Sequence, residues 1–194
     1  MINISKNNNN SYKTQIECLN QTSHLNQKIP KKIGDSRIFL IRHGETNWNK
    51  EGRFQGQIDI PLNQQGKSQA NAASKFLKKV SIQKAFSSSL SRPKETAQII
   101  LKEHRGIEII LKENLKEIGH GKWEGKLESE IEDKWEDLLD LWKKSPDKVQ
   151  MPNGESIQDV WDRAVSCWER IRDSLSSKET AKRLIVNPHL AAIT

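Results

Sequence analysis

Arg37-Ile38-Phe39-Leu40-Ile41-Arg42-His43-Gly44-Glu45-Thr46 is the stretch, residues 37–46, from which the rest of the chain is read. Four consecutive apolar residues, Ile38 to Ile41, predict a short strand covered on both faces, because a strand with one wet face alternates instead. The run stops at Arg42-His43-Gly44, which sets a cation, an imidazole and a residue without a side chain where the strand ends. Sheets built of parallel strands bind ligands beyond the carboxyl ends of those strands, so chemistry is expected at this end if the sheet is parallel.

Working outward, the sequence supplies that alternation. Leu62-Asn63-Gln64-Gln65-Gly66 leads into Ala70, Ala73 and Leu77 at helical spacing, and Lys84-Ala85-Phe86 reads as a second strand. Pro93 suits the first position of a helix whose stripe is Ala97, Ile100 and Leu101, followed by the strand-like Ile107 to Leu111. A further helix is predicted from Glu130 to Trp142 on Ile131, Trp135, Leu138, Leu139 and Trp142. Ser156 and Asp159, in capping-box spacing, open another with Ile157, Val160, Trp161, Ala164, Trp168, Ile171 and Leu175 on one face. The tryptophans seven residues apart in these two helices are read as core. With Arg183-Leu184-Ile185-Val186 as a last strand, the expected fold is α/β, a three-layer sandwich with a mostly parallel sheet flanked by helices.

A chain of 194 residues suits one domain with a sizeable core. That domain is expected over residues 37–194. Residues 1–36, with Asn7 to Asn10 and little apolar periodicity, are expected to be a disordered extension. Mean hydropathy is −0.78, no apolar run is long enough for a membrane span, and the first residues lack the apolar core of a secretory signal. A cytoplasmic location follows as the expectation. Cys18 and Cys167 have neither metal-like nor redox-like spacing and are expected to be free thiols. The net charge of +7 would suit an anionic partner, but residues 1–36 hold five lysines against two carboxylates, which leaves only +4 on the body. Charges there alternate in sign without interleaved aromatics, so neither nucleic acid nor a membrane is the expected partner. A small phosphorylated metabolite suits the same balance.

An imidazole attacks phosphorus when one ring nitrogen is unprotonated and the other is held by an acceptor, and an adjacent arginine fork pairs with phosphate oxygens. An isolated Arg-His-Gly triplet would still be read as a buried histidine at a strand end. The wider pattern changes that. Trp48-Asn49, Arg53-Phe54-Gln55-Gly56, Asp59-Ile60-Pro61-Leu62 and Gly66-Lys67-Ser68-Gln69-Ala70 follow in order. So do Ser88-Ser89-Leu90-Ser91-Arg92 with Thr96-Ala97, Leu115-Lys116-Glu117-Ile118-Gly119, Trp123-Glu124-Gly125 and Pro152-Asn153-Gly154-Glu155-Ser156. In these segments, from about Arg37 to Val186, the chain resembles the histidine phosphatase superfamily, which includes cofactor-dependent phosphoglycerate mutases and phosphatases.

The resemblance implies a phosphoglycerate mutase-like fold and a set of roles. His43 would be the nucleophile that becomes phosphorylated, and Arg42 and Arg92 would grip the transferring phosphoryl group. Amides at the helix start beside Pro93 would add to that anion site. Glu117, between Leu115 and Ile118, would be a half-buried proton donor to the leaving oxygen. Asn49, Gln55 and Gly56 correspond to phosphate contacts on the substrate side. No metal or cofactor is expected, because arginines and histidines carry the positive charge and His24, His104 and His120 are scattered.

The family closes its catalytic set with a second histidine followed by glycine after a late strand. His189 stands nearest that place, but with Pro188 before it and Leu190 after it. Family members continue through a further helix, so a domain lacking its C-terminal part is expected. The leading functional expectation is a phosphatase acting on small phosphomonoesters through a phosphohistidine. A phosphoglycerate mutase and a catalytically impaired phosphate-binding or regulatory protein are the alternatives, with a homodimer as one assembly to test.

Overall fold

In this computed structural model, residues 36–174 are described continuously, together with the backbone strands at 2–6, 12–16 and 182–186. The strands are β1 (Ile2–Lys6), β2 (Tyr12–Ile16), β3 (Ser36–Ile41), β4 (Lys84–Ser87), β5 (Ile109–Leu111) and β6 (Lys182–Val186). The helices are α1 (Asn47–Glu51), α2 (Gln64–Leu77), α3 (Ser91–Leu101), α4 (Glu128–Lys144) and α5 (Ile157–Asp173). One sheet holds all six strands in the order β2-β1-β3-β6-β4-β5. β3, β6, β4 and β5 run parallel, and β1 and β2 add an antiparallel edge beside β3. The two edge strands lie within the segment for which the sequence predicts disorder. Main-chain pairing, which needs no apolar periodicity, forms them.

Successive side chains of a strand face opposite sides of the sheet, and the apolar run divides accordingly. Phe39 and Ala85 join Leu77, Val80, Ile82, Ala97, Ile100 and Leu101 under α2 and α3. Ile38 and Phe86 join Leu115, Cys167 and Ile171 under α5. Those two cores make the three layers that the continuous run Ile38 to Ile41 predicts. A third cluster of Trp123, Ile131, Leu139, Val149 and Met151 seats α4 over the carboxyl-side loops.

Local differences from the sequence reading have identifiable causes. Pro93 is the third residue of α3, not the first, and it is tolerated there because no first-turn amide has an intrahelical acceptor. Strand β5 covers only Ile109–Leu111. On α5 the buried stripe is Val160, Ala164, Cys167 and Ile171, and Trp161 stands 46% exposed. At 100° per residue the stripe at 160, 164, 167 and 171 is self-consistent, and Trp161 lies one position off it. The Ser156–Asp159 capping box forms as expected. Cys167 is a buried free thiol, its pKa pushed up by burial, whereas Cys18 lies outside the described residues.

Candidate active site

The loop leaving β3 is fixed by its backbone. Asn63 donates from its main-chain N to the Glu45 carbonyl (3.0 Å), and Gln69 Oε1 accepts from the Glu45 amide (2.9 Å). Gly44 lies so close to Gly66 in the first turn of α2 that a Cβ on either would run into backbone. On the other side the Gly44 amide donates to Thr96 Oγ1 (3.1 Å), and that hydroxyl donates to the Arg92 carbonyl (2.8 Å). The loop is therefore held between α2 and α3, and His43 projects from it at the carboxyl end of β3.

His43 is 7% exposed, and its Nδ1 lies 2.6 Å from the Gly44 carbonyl. A carbonyl only accepts, so Nδ1 carries the proton and Nε2 keeps its lone pair. Burial pushes the His43 pKa down to about 4, and the nearby Arg92 and Arg42 push the same way, against the Gly44 carbonyl and Glu117. At neutral pH the ring is uncharged. Arg42 itself is exposed.

Arg92, at the start of α3, is fully buried. Its Nη2 donates to Glu117 Oε2 (2.7 Å) and to the Gly56 carbonyl (2.7 Å), and its Nη1 donates to the Ile58 carbonyl (3.0 Å). Its Nε is buried with no partner among the described residues. Glu117 is 6% exposed, so it is more deeply buried than the sequence predicts. The expected anion site at the α3 amides is occupied from within, because Asp59 Oδ1 accepts from the Ser91 amide at 2.7 Å.

The residues expected on the substrate side form a packed corner. Asn49 is drawn into a cap: its Oδ1 accepts from the Thr46 amide (3.1 Å) while its own amide donates to Thr46 Oγ1 (3.1 Å). Gln55 is buried, with Thr46 Oγ1 donating to its Oε1 at 2.9 Å. Gly56 contributes the carbonyl that receives Arg92, and its positive φ of 59° sets it against Glu124. Thus the structure joins His43, Arg92 and Glu117 electrostatically, sets Arg42 at the rim, and links Gly56 to Arg92. His189 lies outside the described residues. His120 is buried edge-on to Phe54 (5.1 Å) and Trp142 (5.8 Å) as a packing element. Thr96, which the sequence marks only as part of the segment after Arg92, proves to be the brace between Gly44 and Arg92 from its place one turn along α3.

Residues 38–193 match the family model of the histidine phosphatase superfamily, branch 1. Among curated relatives, phosphoserine phosphatase 1 of Hydrogenobacter thermophilus is 34% identical over 136 residues, covering 70% of this chain and 64% of that protein. The 2-carboxy-D-arabinitol-1-phosphatase of Triticum aestivum is 35% identical over 144 residues, 74% of this chain and 29% of that protein. The chain thus spans less than two thirds of the length of either relative. Among solved structures, Bacillus stearothermophilus YhfR superposes with a TM-score of 0.73 at 35% identity, covering 78% of this chain and 73% of that one. A match over most of the chain, on a parallel sheet whose β3 end carries the buried His43, means that this chain belongs to the histidine phosphatase superfamily.

Proposed function

We propose that this chain transfers the phosphoryl group of a small phosphomonoester to water through a phosphohistidine at His43. The observation that carries the reading is the neutral imidazole, with Nδ1 committed to the Gly44 carbonyl and Nε2 left nucleophilic, beside a buried arginine–glutamate pair. Two relatives named as phosphatases support the choice of reaction. So does the short run from Glu117 to the single helical turn Gly121–Trp123, which leaves little room for an inserted element.

In this reading Arg42, Arg92 and His189 bind the phosphoryl oxygens, and Asn49, Gln55 and Gly56 border the phosphate. The buried Arg92 Nε supplies an N–H that an oxyanion satisfies. Once the phosphate dianion shares Arg92, Glu117 takes up a proton from solvent; Nε2 of His43 then attacks phosphorus, the P–O ester bond breaks, and Glu117 gives that proton to the departing oxygen. Water then attacks phosphorus, the P–N bond breaks, Glu117 takes the water's proton, and inorganic phosphate leaves. Such catalysis depends on positioning and charge, which the two arginines supply.

Incubation with a ³²P-labelled phosphomonoester, followed by quenching in denaturing alkali, tests the intermediate. Wild type is expected to hold label that is lost in acid and to release inorganic phosphate, and His43→Ala to do neither. Turnover in His43→Ala equal to wild type refutes the mechanism. Delivery of the label to a second phosphoglycerate, with no inorganic phosphate formed, would replace the phosphatase by a mutase.

A further inference from the structure

The motif Pro152-Asn153-Gly154-Glu155 and the α5 side chain Arg163 have no part in the mechanism above, yet they converge on the loop that carries Glu117. Arg163 Nη1 donates to the carbonyls of Asn114 (3.1 Å) and Lys116 (2.8 Å), and Nη2 donates to the carbonyl of Glu117 itself (2.9 Å). The same guanidinium forms a forked pair with Glu155, Nε to Oε1 (2.7 Å) and Nη2 to Oε2 (2.8 Å). Glu155 Oε2 in turn accepts from the Gly119 amide (2.8 Å), two residues beyond Glu117, and from Gln57 Nε2 (3.1 Å). Gln57 Nε2 also lies 3.1 Å from the Glu117 carbonyl. Below the loop, the Pro152–Gly154 turn is tied on by Glu155 N to Gly119 O and Lys122 N to Pro152 O, each 2.8 Å.

Where Arg163, Glu155 and Gln57 meet this loop they bond its backbone, at Asn114, Lys116, Glu117 and Gly119, and none of these bonds reaches the Glu117 carboxylate. Lysine has no planar fork and cannot make this array, whereas arginine presents five donors in fixed geometry. Resting on the phosphatase reading above, we infer that Arg163 and Glu155 are positioning residues that aim the Glu117 carboxyl at the leaving-group oxygen. General-acid catalysis depends on that aim, and displacement of about 1 Å costs roughly 100-fold. Their loss therefore weighs most on esters whose leaving oxygen needs a proton.

The test is kcat/KM for a series of substituted phenyl phosphates, from 4-nitrophenyl to unsubstituted phenyl, on wild type, Glu117→Gln, Arg163→Met, Arg163→Lys and Glu155→Gln. Glu117→Gln is expected to steepen the dependence on leaving-group basicity. Arg163→Met should steepen it too, with phenyl phosphate losing roughly 10- to 100-fold more than 4-nitrophenyl phosphate. In the double variant Arg163→Met with Glu117→Gln, the Arg163 change should add nothing further, because it acts only through Glu117. Arg163→Lys and Glu155→Gln carry the same expectation if Arg163→Met fails to fold. A normal slope in Glu117→Gln, or no phosphate trapped on wild type, overturns the phosphatase reading and this inference with it. A steep slope in Glu117→Gln beside a wild-type slope in the Arg163 and Glu155 variants, or additive losses in the double variant, overturns the inference alone.

Discussion

Nη2 of Arg92 sits 2.7 Å from Oε2 of Glu117, with the arginine side chain wholly buried and the glutamate 6% exposed. One guanidinium thus ties α3 to the Glu117 loop and, through the Gly56 and Ile58 carbonyls, to the loop after α1. Removing one partner of a buried pair strands the other charge, which costs about 3–5 kcal/mol. Arg92→Met is expected to destabilise by that amount in urea unfolding, and adding Glu117→Gln to recover part of it. A midpoint unchanged in Arg92→Met would mean that the pair does not hold these loops.

His43 is expected to titrate near pH 4 in the folded protein, well below the ordinary 6.5, chiefly because burial disfavours its charged form. The folded state then binds this proton more weakly than the unfolded chain, so the stability it contributes is complete above pH 6.5. It is lost as pH falls from 6.5 towards 4, by about 3 kcal/mol in all. NMR titration of the ring resonances, assigned by their absence in His43→Asn, measures the midpoint directly. A midpoint near 6.5 would show that burial does not depress the His43 pKa and would leave part of the ring protonated near neutral pH.

Gly44→Ala introduces a methyl group against the carbonyl of Gly66, and both walls are backbone that cannot swing aside. We expect a loss of about 1–3 kcal/mol in thermal unfolding, as for other overpacked sites. Displacement of His43 by about 1 Å would lower kcat/KM roughly 100-fold. A fully active variant of wild-type stability would show that the approach of these two segments is not needed.

Thr96→Val keeps the shape of a side chain that is 1% exposed but removes the acceptor for the Gly44 amide. A buried donor left without its partner costs about 1–3 kcal/mol, whereas Thr96→Ser should stay near wild type. Comparing the two by denaturant unfolding separates the hydrogen bond from the packing.

By itself, the sequence determined the α/β class, the strand positions at Ile38, Ala85 and Arg183, and the Ser156 cap, because periodicity and capping are local. It also marked His43, Arg92 and Glu117 through ordered motifs spread over 75 positions of chain. Only the tertiary structure decided what those residues touch. That Arg92 is buried against Glu117, that Asp59 fills the start of α3, and that Arg163 holds the Glu117 backbone are long-range contacts. Spacing along the chain carries no information about them, since each depends on how the loops meet at the carboxyl edge of the sheet. Trp161 makes the same point in reverse: helical period allowed it on the core face, and packing of Cys167 and Ile171 against Ile38 of β3 and Phe86 of β4 turned it outward.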